Sequence, residues 1–285
     1  MQCVSGSCDI SHNTVKELLG LTMLVYEYGD SFKLESNETV EQFLDKCRDN
    51  EVTLNDTCMT VLNDFSVCSP MGTVELFISD PETDVQVGIT KSDTNKRISV
   101  VFRGSESKSD WYYDLMIAKR NIGNNVWVHT GFYHQLHTNN VFETIVQKVN
   151  NLLEENPDYD VFVTGHSLGA ALSTLFGYEY GITTDKKVCV VSFASPRVGN
   201  YKFKQEFEAR LNLCHYRVSN NRDIITATPM YKYYHCGKNI CLYEDKFETK
   251  ECDDISWWRY SIFYCWSVAD HSVKLYYDRL IKNLW

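Results

Sequence analysis

The chain has 285 residues, 44% of them hydrophobic and 23% charged, and carries a formal net charge of -10. This composition predicts a globular protein with a sizeable core and excludes a collagen, a disordered tail and a coiled coil. The acidic balance argues against binding to nucleic acid, which needs a basic surface, and against electrostatic attachment to anionic lipid.

The first predicted element is an amphipathic helix over residues 13–28, packed on the body of the protein. Its apolar run at 18–26 is much shorter than the ~20 residues that cross a bilayer, so we predict no transmembrane segment. Lys16 is the only lysine or arginine ahead of that run, and no small-residue cleavage site follows it. The run is therefore not predicted to be a signal peptide.

The cysteines leave the cellular compartment open. Eleven cysteines cannot all pair within one monomer. Three of them lie in residues 31–70, a segment that we cannot assign, near the sequons Asn37-Glu38-Thr39 and Asn55-Asp56-Thr57. Disulfides in a secreted protein and buried free thiols in a cytosolic one both explain this content. A zinc site at Cys236, Cys241 and Cys252 is disfavoured because the close paired spacing of zinc modules is missing.

Beyond this segment, short β-rich runs alternate with helical ones. The elements predicted in chain order are strands at 73–79, 85–90 and 97–103, a helix at 133–155, a strand at 160–164, a helix at 168–180, a strand at 187–193, a helix at 201–211, a strand at 213–218, a hairpin at 231–243 that turns at Gly237-Lys238-Asn239, and a helix at 272–283. This alternation predicts an α/β fold with a mostly parallel central sheet and helices on both faces. No linker or repeat interrupts the chain, so we predict one domain over residues 1–285.

The pattern Gly165-His166-Ser167-Leu168-Gly169 indicates a nucleophilic serine. It lies between an apolar strand and a helical run, where Gly-x-Ser-x-Gly forms a sharp turn that exposes the serine hydroxyl. The alternative is a glycine-bearing turn whose serine only caps the helix.

The general base and its acid are expected later in the chain than Ser167. Three histidines follow it: His215 within a predicted strand, His235 within the predicted hairpin, and His271 at a loop-to-helix junction. The junction is the position best suited to face a cleft, so we predict His271 as the base, with a helix cap as the alternative. Asp223, directly after a strand, is the predicted acid, and a plain turn residue is the alternative. Asp270 is the second candidate for the acid. Because it is adjacent to His271 in the sequence, its carboxylate would have difficulty reaching the far side of that imidazole.

Ester hydrolysis also requires donors for the oxyanion. The backbone N–H of Leu168, the residue after the predicted nucleophile, is one candidate. The second is expected from the loop at Phe102-Arg103-Gly104-Ser105, at the end of an earlier strand. Residues 104–128 form a long irregular connection, and connections of this length in a compact domain are usually functional.

Taken together, these motifs resemble those of the class 3 lipases, the family of fungal triacylglycerol lipases and plant phospholipases A1. Six segments match in the order of the family: Val100-Val101-Phe102-Arg103-Gly104-Ser105, Asp110-Trp111-Tyr112-Tyr113-Asp114-Leu115, His129-Thr130-Gly131-Phe132, Gly165-His166-Ser167-Leu168-Gly169-Ala170, Ala194-Ser195-Pro196-Arg197-Val198-Gly199-Asn200, and Asp270-His271. The resemblance implies an α/β-hydrolase fold with a triad of Ser167, Asp223 and His271, and it makes Ser105 an oxyanion donor.

The same resemblance implies a lid over residues 105–115. Its apolar face would consist of five side chains, which are Trp111, Tyr112, Tyr113, Leu115 and Met116. The alternative is that these aromatic residues are ordinary core. Two features depart from the family: the proline that usually follows the acid is absent from Asp223-Ile224-Ile225-Thr226, and residues 253–266, with three tryptophans, match nothing that we can assign.

The sequence thus predicts a serine hydrolase that cleaves carboxylic esters of lipids at a lipid–water interface, without a metal or cofactor. A phospholipase A1 or a non-lipid carboxylesterase is the alternative among enzymes. A lipid-binding protein that has kept the fold and lost turnover is the alternative from another class. Head group, acyl-chain preference, disulfide pairing and oligomeric state do not follow from the sequence.

Overall fold

The structure, a computed structural model, describes residues 10–26, 45, 72–105, 118–251 and 266–285. Its main elements, in chain order, are α1 (His12–Leu24), β1 (Thr73–Asp80), β2 (Val85–Ser92), β3 (Arg97–Phe102), β4 (Lys119–Asn121), β5 (Trp127–His129), α2 (Thr130–His137), α3 (Val141–Glu155), β6 (Asp160–His166), α4 (Leu168–Gly181), β7 (Val188–Phe193), α5 (Tyr201–Glu208), β8 (Leu213–Asn220), β9 (Lys238–Leu242), β10 (Phe247–Glu251) and α6 (Val273–Lys282).

Eight of the described strands form one sheet in the order β1-β2-β3-β6-β7-β8-β9-β10. Strands β3, β6, β7, β8 and β9 pair in parallel, and the outer pairs β1–β2, β2–β3 and β9–β10 are antiparallel. The carboxyl ends of the parallel strands therefore meet along one edge of the sheet, which is where α/β proteins build their sites.

Helices cover both faces of this sheet. On one face, α1 and α6 enclose an apolar cluster that includes Leu18, Val191 and Tyr276. On the other face, the connecting helices α2 to α5 enclose a second cluster that includes Val190 and Phe176. The adjacent residues Val190 and Val191 point to opposite faces, and both are fully buried. Burial on both sides explains why the central strands are continuous apolar runs. The predicted α/β fold is confirmed.

Helix α1 is more deeply buried than the predicted amphipathic helix. Ser11 caps its start by accepting a hydrogen bond from the backbone N–H of Thr14, and ten of its thirteen residues are buried. The helix packs against the sheet and against α6, so even polar residues such as Glu17 and Thr22 are enclosed. No helix in the described ranges combines the length and apolar character that a membrane crossing requires.

The prediction of one helix over residues 133–155 was wrong. Two helices, α2 and α3, are separated by a short 3₁₀ turn at Thr138–Asn140. Asn139 and Asn140 both have positive φ, at 54° and 57°. Asparagine tolerates this left-handed conformation better than most residues, and it ends the regular helix here. The apolar period continues across the break, which is why the sequence pattern concealed it.

The predicted hairpin at 231–243 was also wrong. Residues 238–242 form β9, which pairs in parallel with β8 and antiparallel with β10. Gly237 has a φ of +76°, and an added Cβ would lie 2.3 Å from the carbonyl oxygen of His215. The absence of a Cβ at Gly237 therefore lets the backbone pass close to β8, so that β9 can begin at the next residue. The hairpin turn follows β9 instead, where the Tyr243 N–H donates to the carbonyl of Lys246 at 2.8 Å.

The long connection at 104–128 is only partly irregular. Its end forms a two-stranded ribbon, in which β4 pairs antiparallel with β5. The turn between them places Gly123 at a φ of +114°. Residues 106–117 lie outside the described part of the chain, and they include the predicted lid residues.

A buried ion pair fastens α1 to the sheet. Arg97 Nη2 on β3 lies 2.8 Å from Glu17 Oε2, with the two side chains 3% and 9% exposed. The contact is a close ion pair without the alignment of a hydrogen bond. We expect Glu17→Gln to lower the free energy of unfolding by about 3 kcal/mol, because it removes the carboxylate charge that lies beside a buried guanidinium. A urea titration measures this loss.

The matched control for Glu17→Gln is an exposed pair on the same molecule. Lys96 Nζ lies 2.6 Å from Asp158 Oδ2, and both side chains are more than half exposed. Solvent screens such a pair, so Asp158→Asn is expected to leave the urea midpoint unchanged. Equal effects of the two substitutions would contradict a stabilising role for burial of the Glu17–Arg97 pair.

Candidate active site

Ser167 occupies a sharp turn between β6 and α4. Its backbone has φ 60° and ψ -121°, a conformation that side-chain-bearing residues rarely adopt. Gly165 and Gly169 make the turn possible, since a Cβ on Gly169 would lie 2.3 Å from the carbonyl oxygen of Phe102 and one on Gly165 would lie 2.5 Å from the backbone of Gly169. The glycines allow α4 to approach β3 closely, which supports the strained position of the serine.

The structure brings the three predicted site residues together in one hydrogen-bonded row. The Nε2 atom of His271 lies 2.8 Å from the Oγ of Ser167. On the other side of the ring, Nδ1 lies 3.1 Å and 3.0 Å from the two carboxylate oxygens of Asp223. All three distances suit hydrogen bonds. Ser167 and Asp223 are buried, and the side chain of His271 is 20% exposed. The imidazole is thus the partly accessible member.

The carboxylate of Asp223 is fully buried and has three hydrogen-bond donors. Besides His271, the Ile225 N–H donates to Oδ1 at 2.9 Å and the Tyr276 hydroxyl donates to Oδ2 at 2.7 Å. Burial, together with the adjacent Asp223 carboxylate, raises the pKa of Tyr276 well above its usual value. Tyr276 therefore stays protonated as a donor. These donors compensate for the removal of the carboxylate from water.

The loop that carries His271 is attached to the end of β8. Ser267 forms a bridge with Asp223, and its N–H donates to the carbonyl of Arg222 at 2.9 Å. Asn220, the last residue of β8, donates from its side chain to the carbonyl of Asp270 at 2.8 Å. These contacts fix the short 3₁₀ turn at Ala269–His271 against the sheet edge. They explain how Asp223 and His271, which are 48 residues apart in the sequence, stay within hydrogen-bonding distance.

The alternative residues from the sequence have other partners. His215 contacts Ser192 Oγ at 2.8 Å and Cys236 Sγ at 3.3 Å, and His235 contacts the carbonyl of Thr226 at 2.7 Å. Burial lowers the pKa of both histidines well below the usual value. Asp270 forms an ion pair with Arg279 at 3.2 Å. The row around Ser167 includes none of these three side chains.

Cys236 belongs to the same buried group as His215. Burial raises the pKa of its thiol to about 12. Cys189, Cys214, Cys236 and Cys241 are thiols that form no disulfide, and the other seven cysteines lie outside the described residues. Free thiols thus account for part of the cysteine content.

One candidate oxyanion donor, Leu168, directly follows Ser167, and the other, Ser105, is adjacent in sequence to a residue that lies against the turn. Leu168 begins α4, and the first N–H groups of a helix have no intrahelical acceptor. Ser105 follows β3 and is half-buried. The neighbouring Gly104 lies against the turn, because an added Cβ would be 2.7 Å from the carbonyl oxygen of His166. The predicted lid residues Trp111, Tyr112, Tyr113 and Leu115 lie outside the described residues.

Sequence reasoning missed two side chains that contact the row. Tyr276 donates to Asp223, and His166 contacts the carbonyl of His271 at 2.9 Å. His166 lies within the motif that identified Ser167. The motif therefore placed His166 beside Ser167, but it did not indicate which residues His166 contacts. Tyr276 had no signal, since it is one of two adjacent tyrosines on the last helix and stands in no motif.

Comparisons with known proteins find lipases and phospholipases. Residues 99–233 match the family model for lipase (class 3). A secreted mono- and diacylglycerol lipase A from Penicillium cyclopium is 28% identical over 177 residues, covering 61% of this chain and 57% of the relative. The chloroplastic phospholipase A1-Igamma1 from Arabidopsis thaliana is 26% identical over 254 residues, covering 79% of this chain and 46% of the relative. The alignments span about half the length of these curated relatives.

Solved structures show the same fold. The triacylglyceride lipase of Rhizomucor miehei superposes with a TM-score of 0.69 at 20% identity, covering 94% of this chain and 96% of that structure. A lipase from Rhizopus microsporus var. chinensis gives a TM-score of 0.68 at 24% identity, covering 91% and 85%. Over residues 99–233, the chain is thus similar to the class 3 lipases.

Proposed function

We propose that this protein is a serine hydrolase that cleaves carboxylic esters of lipids through an acyl-enzyme on Ser167. The observation that carries the proposal is the 2.8 Å contact between Ser167 Oγ and His271 Nε2 at a strained strand-to-helix turn. A serine hydroxyl becomes a useful nucleophile when a base removes its proton, and this contact provides the base. The names of the relatives, which are lipases and phospholipases A1, support lipid esters as the substrate class.

In the proposed reaction, Ser167 Oγ attacks the ester carbonyl carbon while His271 Nε2 takes the hydroxyl proton. Asp223 accepts the Nδ1 proton in a hydrogen bond and stabilises the imidazolium. The N–H groups of Leu168 and Ser105 stabilise the oxyanion of the tetrahedral intermediate. His271 then protonates the leaving alkoxide, and the acyl group stays on Ser167. Water, deprotonated by His271, attacks the acyl-enzyme and releases the carboxylic acid and free Ser167.

The lid is part of the same proposal. Residues 105–115 would cover the site, with Trp111, Tyr112, Tyr113 and Leu115 on the face that meets the lipid. Because the chain has a net charge of -10, contact with a lipid surface is expected to depend on these apolar side chains more than on charge.

A phospholipase A1 is the second candidate. The alignment with the Arabidopsis phospholipase covers 79% of this chain, against 61% for the Penicillium lipase, although its identity is lower. The two activities differ in the head group beside the scissile ester and not in the reaction at Ser167, so substrate comparison distinguishes them.

The test is hydrolysis of a panel of neutral glycerides, phospholipids and short-chain esters, combined with labelling by a fluorophosphonate. We expect turnover of at least one lipid class and one equivalent of label, mapped to the peptide with Ser167. An activated serine reacts and ordinary hydroxyls do not. Ser173, buried on the same helix, stays unlabelled. Absence of both turnover and labelling, with a lipid interface present, would favour a lipid-binding protein without catalysis.

A further inference from the structure

His166 makes two directed hydrogen bonds beside the proposed catalytic row. Its Nε2 lies 2.9 Å from the main-chain carbonyl oxygen of His271. Its Nδ1 lies 3.0 Å from the hydroxyl of Tyr26, which follows the end of α1. The side chain is buried, and its ring lies 4.7 Å from the ring of His271 at an angle of 36°. Both ring nitrogens therefore have partners on different elements.

The chemistry of the two partners assigns the tautomer of His166. A carbonyl oxygen only accepts, so the Nε2 atom must carry the proton and donate to His271. The Nδ1 atom is then the acceptor, and the Tyr26 hydroxyl donates to it. Burial and the adjacent His271 lower the pKa of His166 well below its usual value, which keeps one proton on the ring. A neutral ring of this tautomer satisfies both partners.

We propose that His166 is a positioning residue that holds the backbone of His271, with Tyr26 fixing the His166 ring from the N-terminal helix. This inference rests on the proposed function, since it concerns the placement of the proposed general base. Asn220 holds the preceding carbonyl, that of Asp270. Two successive carbonyls of the turn at Ala269–His271 are thus held by side chains from the ends of β6 and β8.

A role in packing alone would not require this arrangement. A buried ring can fill its space in many orientations, whereas here both nitrogens are aligned with partners of the right type. The position of the His271 backbone determines the reach of its Nε2 toward Ser167, which is 2.8 Å. Displacement of a catalytic group by ~1 Å costs on the order of 100-fold in rate. His166 is therefore expected to act on turnover more than on substrate binding.

Two near-isosteric substitutions separate the two hydrogen bonds. The amide nitrogen of glutamine reaches the position of Nε2, so His166→Gln can still donate to His271 but loses the contact with Tyr26. Asparagine presents its amide at the position of Nδ1, so His166→Asn can keep Tyr26 but leaves the His271 carbonyl without its donor. Both variants change the same residue beside Ser167, and each is the matched control for the other.

We expect His166→Asn to lower kcat roughly 100-fold and His166→Gln by about 10-fold or less, with KM changed less than about threefold in both. Tyr26→Phe removes one hydroxyl, and a loss of about threefold to tenfold in kcat is expected. Thermal unfolding of the three variants controls for a general loss of structure. Equal losses in His166→Asn and His166→Gln would overturn the proposal, because the donor to His271 would then have no specific effect.

Proton NMR of the histidine ring N–H groups makes the test independent of turnover. We expect the Nδ1–H signal of His271, hydrogen-bonded to Asp223, to be retained in His166→Gln and broadened or lost in His166→Asn. If the wild type hydrolyses no ester, the proposed function fails, and the spectra still report whether His166 holds His271. An unchanged signal in His166→Asn would overturn the positioning role even in an active enzyme.

Discussion

Replacement of Ser167 by alanine is expected to lower kcat/KM for lipid esters on the order of 10⁶-fold and to leave the fold intact. In the proposed reaction the acyl-enzyme cannot form without Oγ, and the remaining groups would stabilise only direct attack by water. Alanine should not disturb the turn, because its Cβ meets the same restrictions at φ 60° as that of serine. Initial rates on a lipid emulsion measure the loss, and circular dichroism checks the fold.

Ser173→Ala is the matched control for this substitution. Ser173 lies on the same helix, is fully buried, and donates to the carbonyl of Gly169 at 2.7 Å. Its loss removes one ordinary hydrogen bond, so stability falls by roughly 1 kcal/mol and the rate stays within about threefold. A Ser167→Ala protein that retained about a hundredth or more of the wild-type rate, after removal of contaminating esterase, would place the nucleophile elsewhere.

The sequence predicted the proximity of Ser167, Asp223 and His271 better than it predicted some of the elements around them. The turn at Ser167 depends on Gly165 and Gly169, whose close contacts with the backbone of the turn and of β3 leave no space for a Cβ. Such a steric requirement is local and appears directly as a pattern in the sequence. Chain order and position after a strand then pointed to Asp223 and His271, since parallel strands bring their carboxyl ends to one edge.

Contacts between distant elements could not be predicted in this way. Tyr276 meets Asp223 because α6 packs across the sheet, and Tyr26 meets His166 because α1 ends beside β6. Neither tyrosine stands in a motif. The register of such contacts depends on how whole helices pack, which one sequence does not reveal.

The wrong hairpin has a similar cause. Gly237 resembled a turn residue, because glycine with positive φ is common in turns. In the folded chain the same freedom lets the backbone pass close to His215 before β9 begins. The break at Asn139 and Asn140 was missed for the opposite reason, since the apolar spacing of α2 continues into α3. The local spacing of apolar residues predicts which residues are buried. In these two places it does not predict where the chain changes direction.

Asp223→Asn is expected to lower kcat about 10⁴-fold with little change in KM. The reason lies in the donors around the carboxylate. The Ile225 N–H faces Oδ1 at 2.9 Å, so the amide of asparagine must place its oxygen there to avoid two opposed donors. Its NH₂ group then takes the place of Oδ2, 3.0 Å from His271 Nδ1, which favours the ring form in which Nδ1 accepts. The proton moves to Nε2, and the ring can no longer take the proton of Ser167.

The matched control is Asp270→Asn, which changes the other acidic candidate beside His271. Asp270 pairs with Arg279 at 3.2 Å and accepts from the Arg222 N–H at 3.3 Å, so its loss loosens the turn without changing the tautomer of His271. We expect a decrease of roughly tenfold or less in kcat, in line with the loss of a partly buried support. The pH dependence of kcat adds a second readout. A neutral pH leaves the His271 ring uncharged but does not move its proton back to Nδ1, so Asp223→Asn is expected to stay slow there. If Asp270→Asn were the more damaging substitution, Asp270 and not Asp223 would be the partner of His271.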